Sequence, residues 1–217
     1  MSALSRLAKI NWREHPGCQA ALLGIFALLV CGSVALSSDL TAGSIAAAQQ
    51  ADTQRMLAQV LPGSLYDTSP AKEELTLTLD GQAVHLFRAR REGTVSAIAL
   101  FAESRGYAGP IKLLLGLDAQ GTLTGVRVVS HTETPGLGDK IELAKTKWIL
   151  GFNGKSLSEP TEHGWKVKKD GGEFDSFTGA TITPRAVVKG VFETLQLFAK
   201  HRDQLLDSAD TNRQEDK

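Results

Sequence analysis

The apolar positions of this chain change period along its length. From Gly17 to Leu36 they form a run without a single charge, GCQAALLGIFALLVCGSVAL. About 20 such residues suffice to cross a bilayer as a helix. Residues 41–61 mix Ala-rich helix formers with a broken apolar face at Ile45, Ala48, Met56, Val60 and Leu61, and Pro62-Gly63 ends that helix. The period then shortens to two. Leu75–Leu79 alternates, Asp80-Gly81 supplies a hairpin turn, and Ala83–Arg90 returns. Thr94–Ala102 reads as a further strand. Ile111–Leu117 and Leu123–Ser130 form another hairpin around Asp118-Ala119-Gln120-Gly121. Helical spacing resumes over 139–150, Trp165–Lys168 reads as a short strand, and a last helix runs from Pro184 to about His201. Val187, Val188, Val191, Phe192, Leu195 and Phe198 line one face of that helix. Strands first, with helices interspersed, predict an α+β fold: a single N-terminal transmembrane helix, then a mostly antiparallel sheet with flanking helices.

These periods divide the chain into a cytoplasmic start (1–16), a transmembrane anchor (17–37), an exported domain (38–200) and a polar, disordered tail (201–217). Arg6, Lys9 and Arg13 precede the apolar run and Asp39 follows it. The positive-inside rule therefore leaves the N-terminus in the cytoplasm and exports the domain. In a bacterium this is a single-pass inner-membrane protein with a periplasmic domain. Two other uses of the run are open. Ser33-Val34-Ala35 resembles a signal-peptidase site, and Leu28-Leu29-Val30-Cys31 a lipoprotein site. The long charged start and the long apolar run favour an uncleaved anchor, and Val30 is bulky for lipoprotein processing.

Composition removes several function classes. Lys and Arg total 24, matching 24 Asp and Glu, and no basic run tracks a phosphate backbone, so nucleic acid is not expected as a partner. Cys18 and Cys31 both lie in the apolar run, leaving the rest of the chain without a disulfide, a thiolate metal site or a Cys nucleophile. His15, His85, His131, His163 and His201 are scattered without ligand spacing, and no metal site is expected.

Chemistry concentrates in two short segments. The first is Asp175-Ser176-Phe177-Thr178-Gly179-Ala180-Thr181, followed by Ile182-Thr183-Pro184. It puts the Thr181 hydroxyl in a small-residue turn just before a helix. Thr183 suits the N-cap and Pro184 the first helical position. Gly179 and Ala180 leave room for a ligand at the backbone, and the positive end of the helix favours a phosphate there. The second is the loop His131-Thr132-Glu133-Thr134-Pro135-Gly136-Leu137-Gly138, where Pro and Gly let the backbone approach a flat ligand and Leu137 offers an apolar contact. Read alone, one is also a capped turn and the other a connecting loop. Three other patterns fail. Gly136-x-Gly138 meets Ile141 where a dinucleotide fingerprint needs Gly, Gly154-Lys155-Ser156 has Ile149 where a P-loop needs Gly, and Glu173 with Asp175 does not suggest a sugar-cleaving pair. Trp148, Phe152, Trp165 and Phe174 read as core; Phe177, inside the motif, is the best stacking candidate.

The heptad resembles the flavinylation motif Asp-x-x-Ser/Thr-Gly-Ala-Thr of the FMN-binding domain family, and Glu133-Thr134-Pro135-Gly136-Leu137-Gly138 resembles that family's second signature. Within it, the layout is similar to the G subunits of Rnf-type (Rsx) ion-translocating oxidoreductase complexes. The C subunits of sodium-translocating NADH:quinone reductases are the alternative. The resemblance implies FMN attached covalently by a phosphoester to Thr181, with Asp175, Thr178, Gly179 and Ala180 as the recognition turn. Residues Glu133 to Gly138 would lie against the isoalloxazine. It implies maturation by an ApbE-type flavin transferase, partnership with subunits A, B, C, D and E, and an electron relay coupled to cation movement, with no catalytic side chain of its own. A cation from Lys166, Lys168 and Lys169 could face the flavin, although a solvated strand edge also explains them. A non-redox assembly or sensor protein on the same domain remains open. A stand-alone periplasmic flavoenzyme does too, although no acid–base pair lies near the motifs.

Overall fold

The computed structural model describes residues 16–207, without the side chains of Cys18, Ala35, Gln49 and residues 37–47. The expected cytoplasmic start up to residue 15 and the tail beyond Asp207 lie outside the described residues. The chain divides into two units, 1–51 and 52–217. Helix α1 runs unbroken through Pro16–Val60, joining what the pattern predicts as two helices. In its first part Leu22, Leu23, Ile25, Phe26, Leu28 and Leu29 are all exposed. Among the described residues no helix is long and apolar enough to cross a membrane. The segment 17–37, expected as a transmembrane helix, lies within the first part of this longer helix, whose later turns carry an Arg55–Asp52 pair at 3.2 Å.

The second unit is built on a five-stranded antiparallel meander in the order β1-β2-β3-β4-β5. The strands are β1 (Glu74–Leu79), β2 (Gln82–Arg91), β3 (Thr94–Arg105), β4 (Pro110–Asp118) and β5 (Leu123–Ser130). Asp80-Gly81 and Glu92-Gly93 turn the first two hairpins with positive φ at both residues, the combination that matches strand twist. Both faces of the sheet are covered, so β4 reads as a nearly continuous apolar run. Leu113, Leu115 and Leu117 bury one face, while Leu114 joins Phe87, Ala89, Ala97 and Ala99 on the other, beneath Leu57, Val60 and Leu61 at the end of α1. Helix α2 (Ile182–Leu206) covers the first face with Val187, Val188, Val191, Leu195 and Phe198.

Helix α2 corrects the expected tail. It kinks at His201 and continues to Leu206, and Leu205 is wholly buried. The cause lies far away in sequence. Arg88 of β2, also wholly buried, donates from Nε to the Leu205 carbonyl (2.9 Å) and from Nη2 to the Gln204 carbonyl (2.8 Å). These bonds satisfy acceptors that a helix end leaves open, and a cation suits that end of the dipole.

Between β5 and α2 the chain has little regular structure. The helix expected over 139–150 is two 3₁₀ turns, Asp139–Ile141 and Trp148–Phe152. Thr146 explains the difference: its hydroxyl donates to the Lys140 carbonyl (2.7 Å) and accepts from the Trp148 amide (3.2 Å), giving the backbone an alternative to helical bonds. The strand expected at Trp165–Lys168 reduces to one bridge, Val167 to Phe174, followed by a 3₁₀ turn at Lys168–Asp170. Aromatic packing holds the segment together, with Phe152 stacked on Phe174 at 4.6 Å and Trp165 tilted against Phe174 at 5.2 Å.

Candidate cofactor-attachment site

The heptad ends in a tight turn. The Ala180 amide donates to the Phe177 carbonyl (3.1 Å), and Gly179 between them has φ +83°, as the third residue of a type II turn requires. Thr178 and Gly179 are exposed on the turn, and Ala180 and Thr181 are half-buried. Thr181 immediately precedes α2, but its side chain does not cap the helix. Thr183, the expected cap, lies inside the first turn and is buried. Its hydroxyl donates to Glu133 Oε2. Pro184 is accordingly the third helical residue rather than the first; the first turn still tolerates it because N–H groups there have no intrahelical partner. The two neighbouring threonines thus differ: one hydroxyl is committed to the interior and the other is left out of the helix cap. No acidic residue sits in the first turn, so its positive end is not offset from within the helix.

The loop 131–138 lies beside this turn. A Cβ placed on Gly179 would sit 3.6 Å from Leu137 Cδ2, so the two signature segments meet. The Leu137 and Gly138 amides both donate to the Thr134 carbonyl (3.2 and 3.0 Å), forming a tight loop with Gly136 at φ +79°. Thr134, Pro135, Gly136 and Leu137 are exposed on it. Glu133 and Gly138 are buried and form its underside. Glu133 Oε1 accepts from the Ala108 amide (3.0 Å) while Oε2 accepts from Thr183. The buried carboxylate thereby joins the β3–β4 turn, this loop and the start of α2. His131 Nδ1 accepts from the Glu133 amide (3.1 Å), leaving Nε2 to donate to Glu142 Oε1 (2.7 Å). The Asp139 carboxyl is held below its ordinary range, first by the Gly136 amide and then by Lys145.

A second ring of contacts steadies the heptad. Trp148 Nε1 donates to the Asp175 carbonyl (2.9 Å), and the indole packs edge-on against Phe177 at 5.2 Å. The Asp175 carboxylate is exposed and pairs with Lys168 at 2.7 Å. Sequence reasoning grouped Lys168 with a basic cluster and missed this partner, and it missed Trp148 as the support of the motif.

The chain is 49% identical to the G subunit of the ion-translocating oxidoreductase complex of Cereibacter sphaeroides over 197 residues, 90% of either chain. It is 50% identical to the corresponding G subunit of Pseudomonas aeruginosa over 194 residues, 86% of this chain and 90% of that one. The chain belongs to the family of G subunits of ion-translocating oxidoreductase complexes. Within it, residues 106–196 match the FMN-binding domain family and residues 19–60 the RnfG N-terminal region. The FMN-binding match contains both signature segments and the first turns of α2. At the level of fold, the chain resembles the C subunit of the Na⁺-translocating NADH-quinone reductase from Parabacteroides distasonis, with a TM-score of 0.50 and 21% identity. That match covers 71% of this chain and 94% of the other.

A cavity of about 820 Å³ opens one turn along α2 from Thr181, lined by Trp165, Lys166, Asp170, Arg185, Lys189 and Phe192 among others. It contains none of the signature residues. Arg185, on its wall, pairs with Asp170 through both carboxylate oxygens, which lowers the Asp170 pKa and raises that of Arg185.

Proposed function

We propose that this chain holds FMN through a phosphoester on Thr181 and serves as an electron-relay station of its complex. The observation that supports this most is the contrast between the two threonines. Thr183 is tied to Glu133, while Thr181 leaves the cap of α2 unmade and stands next to an exposed turn. The residues fit the group. Thr181 provides the acceptor hydroxyl, Thr178, Gly179 and Ala180 keep the approach low, and the unoffset end of α2 favours a phosphate. Leu137 and Phe177 supply apolar surface for a ring system, with Thr134, Pro135 and Gly136 as the exposed loop backbone beside it. Asp175, steadied by Lys168 and by Trp148 at its carbonyl, marks the motif for a flavin transferase of the ApbE type. When bound, FMN supplies one- and two-electron exchange, and the protein contributes its position and surroundings. A covalent tether also keeps the cofactor at its station.

In this reading the partners are subunits A, B, C, D and E of an Rnf-type complex, and electron flow is coupled to cation movement. Exposed apolar side chains such as Leu22, Phe26, Leu29, Val34 and Leu36 attach the protein to the inner membrane, with the positively charged start on the cytoplasmic side and the domain in the periplasm.

The test is co-expression with an ApbE-type transferase, followed by a denaturing gel under ultraviolet light. The native chain is expected to fluoresce and Thr181→Ala to stay dark. Fluorescence in both would move the attachment elsewhere. Darkness in both, beside a glowing flavinylated control, would leave a non-covalent binder or a scaffold.

A further inference from the structure

We infer that Thr183 is a positioning residue for the modification of Thr181, acting through the buried Glu133 carboxylate. The inference rests on the attachment reading above and adds to it a requirement for a second threonine that never touches the cofactor.

The argument starts from burial. Glu133 is 4% exposed and Thr183 1% exposed, so the polar atoms of each need partners within the protein. They find each other, and the other carboxylate oxygen takes the Ala108 amide at 3.0 Å. The surroundings are shaped around this bracket. A Cβ at Gly106 would lie 2.3 Å from Glu133 Oε1, and one at Gly138 would lie 2.8 Å from Glu133 Cβ and 3.0 Å from Thr183 Oγ1. A hydrogen bond to a carboxylate is stronger than one between neutral groups. Here it fixes the first turn of α2 two residues after Thr181.

The rest of α2 is secured independently. Ser104 Oγ donates to the Ala186 carbonyl at 2.6 Å, and Gly190 lets the helix lie close against Ser104 and Leu113. Removing the Thr183 hydroxyl therefore leaves the helix docked but frees its opening turn. Transfer of FMN from FAD forms the Thr181 Oγ–phosphorus bond, breaks the pyrophosphate P–O bond, releases AMP and gives up the hydroxyl proton to solvent. Such in-line displacement is sensitive to small misplacements of the attacking oxygen.

The experiment uses the purified full chain in detergent, an ApbE-type transferase and FAD, with intact mass as the readout of attached FMN. Thr183→Val keeps the shape and removes the donor. Its modification is expected to slow by about tenfold or more, in kcat rather than KM, with an unchanged near-ultraviolet circular dichroism spectrum. Thr183→Ser is expected to restore most of the rate. If Thr183→Val does not fold, Thr183→Ala, which cannot clash, replaces it with the same expectation. A native rate in the folded Val or Ala variant overturns the inference. So does a change confined to KM, which would mean a lost contact with the transferase, or a Ser variant as slow as Val, which would mean that shape and not the hydroxyl matters. An unmodified native chain, or modification that persists in Thr181→Ala, overturns the attachment reading instead.

Discussion

The meander of residues 74–130 and the loop-rich segment of residues 131–181 share one domain but are specified differently. In the meander, each strand pairs with the next through short hairpins, and alternation along each strand decides which face a side chain joins. In the loop-rich segment almost nothing repeats. Its shape comes from single contacts between distant residues: Glu133 with Thr183, Trp148 with the Asp175 carbonyl, Phe152 with Phe174. Regular pairing spreads stability over many residues, so the meander acts as a rigid platform. The irregular segment concentrates its geometry in a few side chains, and that is where the attachment turn sits.

The comparison breaks most sharply at Thr181. Thr181→Ala is expected to abolish covalent flavin entirely while leaving the thermal unfolding midpoint of the unmodified chain within a degree or two, because its hydroxyl caps nothing. A calorimetric scan beside the fluorescence gel checks both halves. A large fall in the midpoint would mean that the threonine has a structural role the geometry does not reveal.

The platform is expected to respond in the opposite way. Leu115, wholly buried in β4, contacts the core beneath α2. Leu115→Ala should cost about 3 kcal/mol of stability by urea unfolding. The fraction that stays folded should still accept flavin at nearly the native rate. Trp148→Ala should invert that pattern: the half-exposed indole costs less stability, about 1–2 kcal/mol, but its loss frees the Asp175 carbonyl and Phe177 and should slow flavin attachment several-fold. Equal losses of attachment in both variants would show that the two regions are not separable.

How much of this was readable follows the same division. The strand Leu123–Ser130 has the bounds its alternation predicts, and Asp80-Gly81 turns where its residue types say it should. The heptad was legible because a turn, a hydroxyl and a helix start are contiguous. Thr183 was misassigned as a cap because cap preference is local, whereas its partner is 50 residues away in sequence. Glu133 was set against the ring by the family resemblance alone, and its bonds to Ala108 and Thr183 join segments that no local pattern connects. The helix over 139–150 failed because one hydroxyl, that of Thr146, satisfies the backbone in another way. The end of α2 was missed because the residue that stabilises it, Arg88, is 117 positions from Leu205. Arg88→Leu tests this directly. It is expected to cost about 2 kcal/mol and to raise hydrogen exchange in the turn after His201, while β1 to β5 stay protected.

The smallest effect separates the two regions by pH. Asp170 belongs to the irregular segment, and its carboxyl is held below the ordinary value of 3.8 by its hydrogen bonds and charge pairing with Arg185 of α2. The sign follows from linkage. A carboxylate with a depressed pKa in the folded state contributes stability that is fully present above its unfolded pKa and is lost as pH falls through the folded one. The contribution should therefore be constant from neutral pH down to about pH 5 and fade below about pH 4. Because the pair is partly exposed, the change is small and is further screened by salt. Carbon-13 NMR of the Asp170 carboxyl should show titration below that of an unpaired aspartate. Arg185→Met should return it toward the ordinary value and flatten the acid limb of the stability curve attributable to this pair. Asp80, which closes the β1–β2 hairpin and is also depressed, chiefly by Lys200, is the control, since Arg185→Met should leave it unmoved. If both carboxyls shift together, the docking of α2 transmits charge between platform and attachment segment, and their independence is lost.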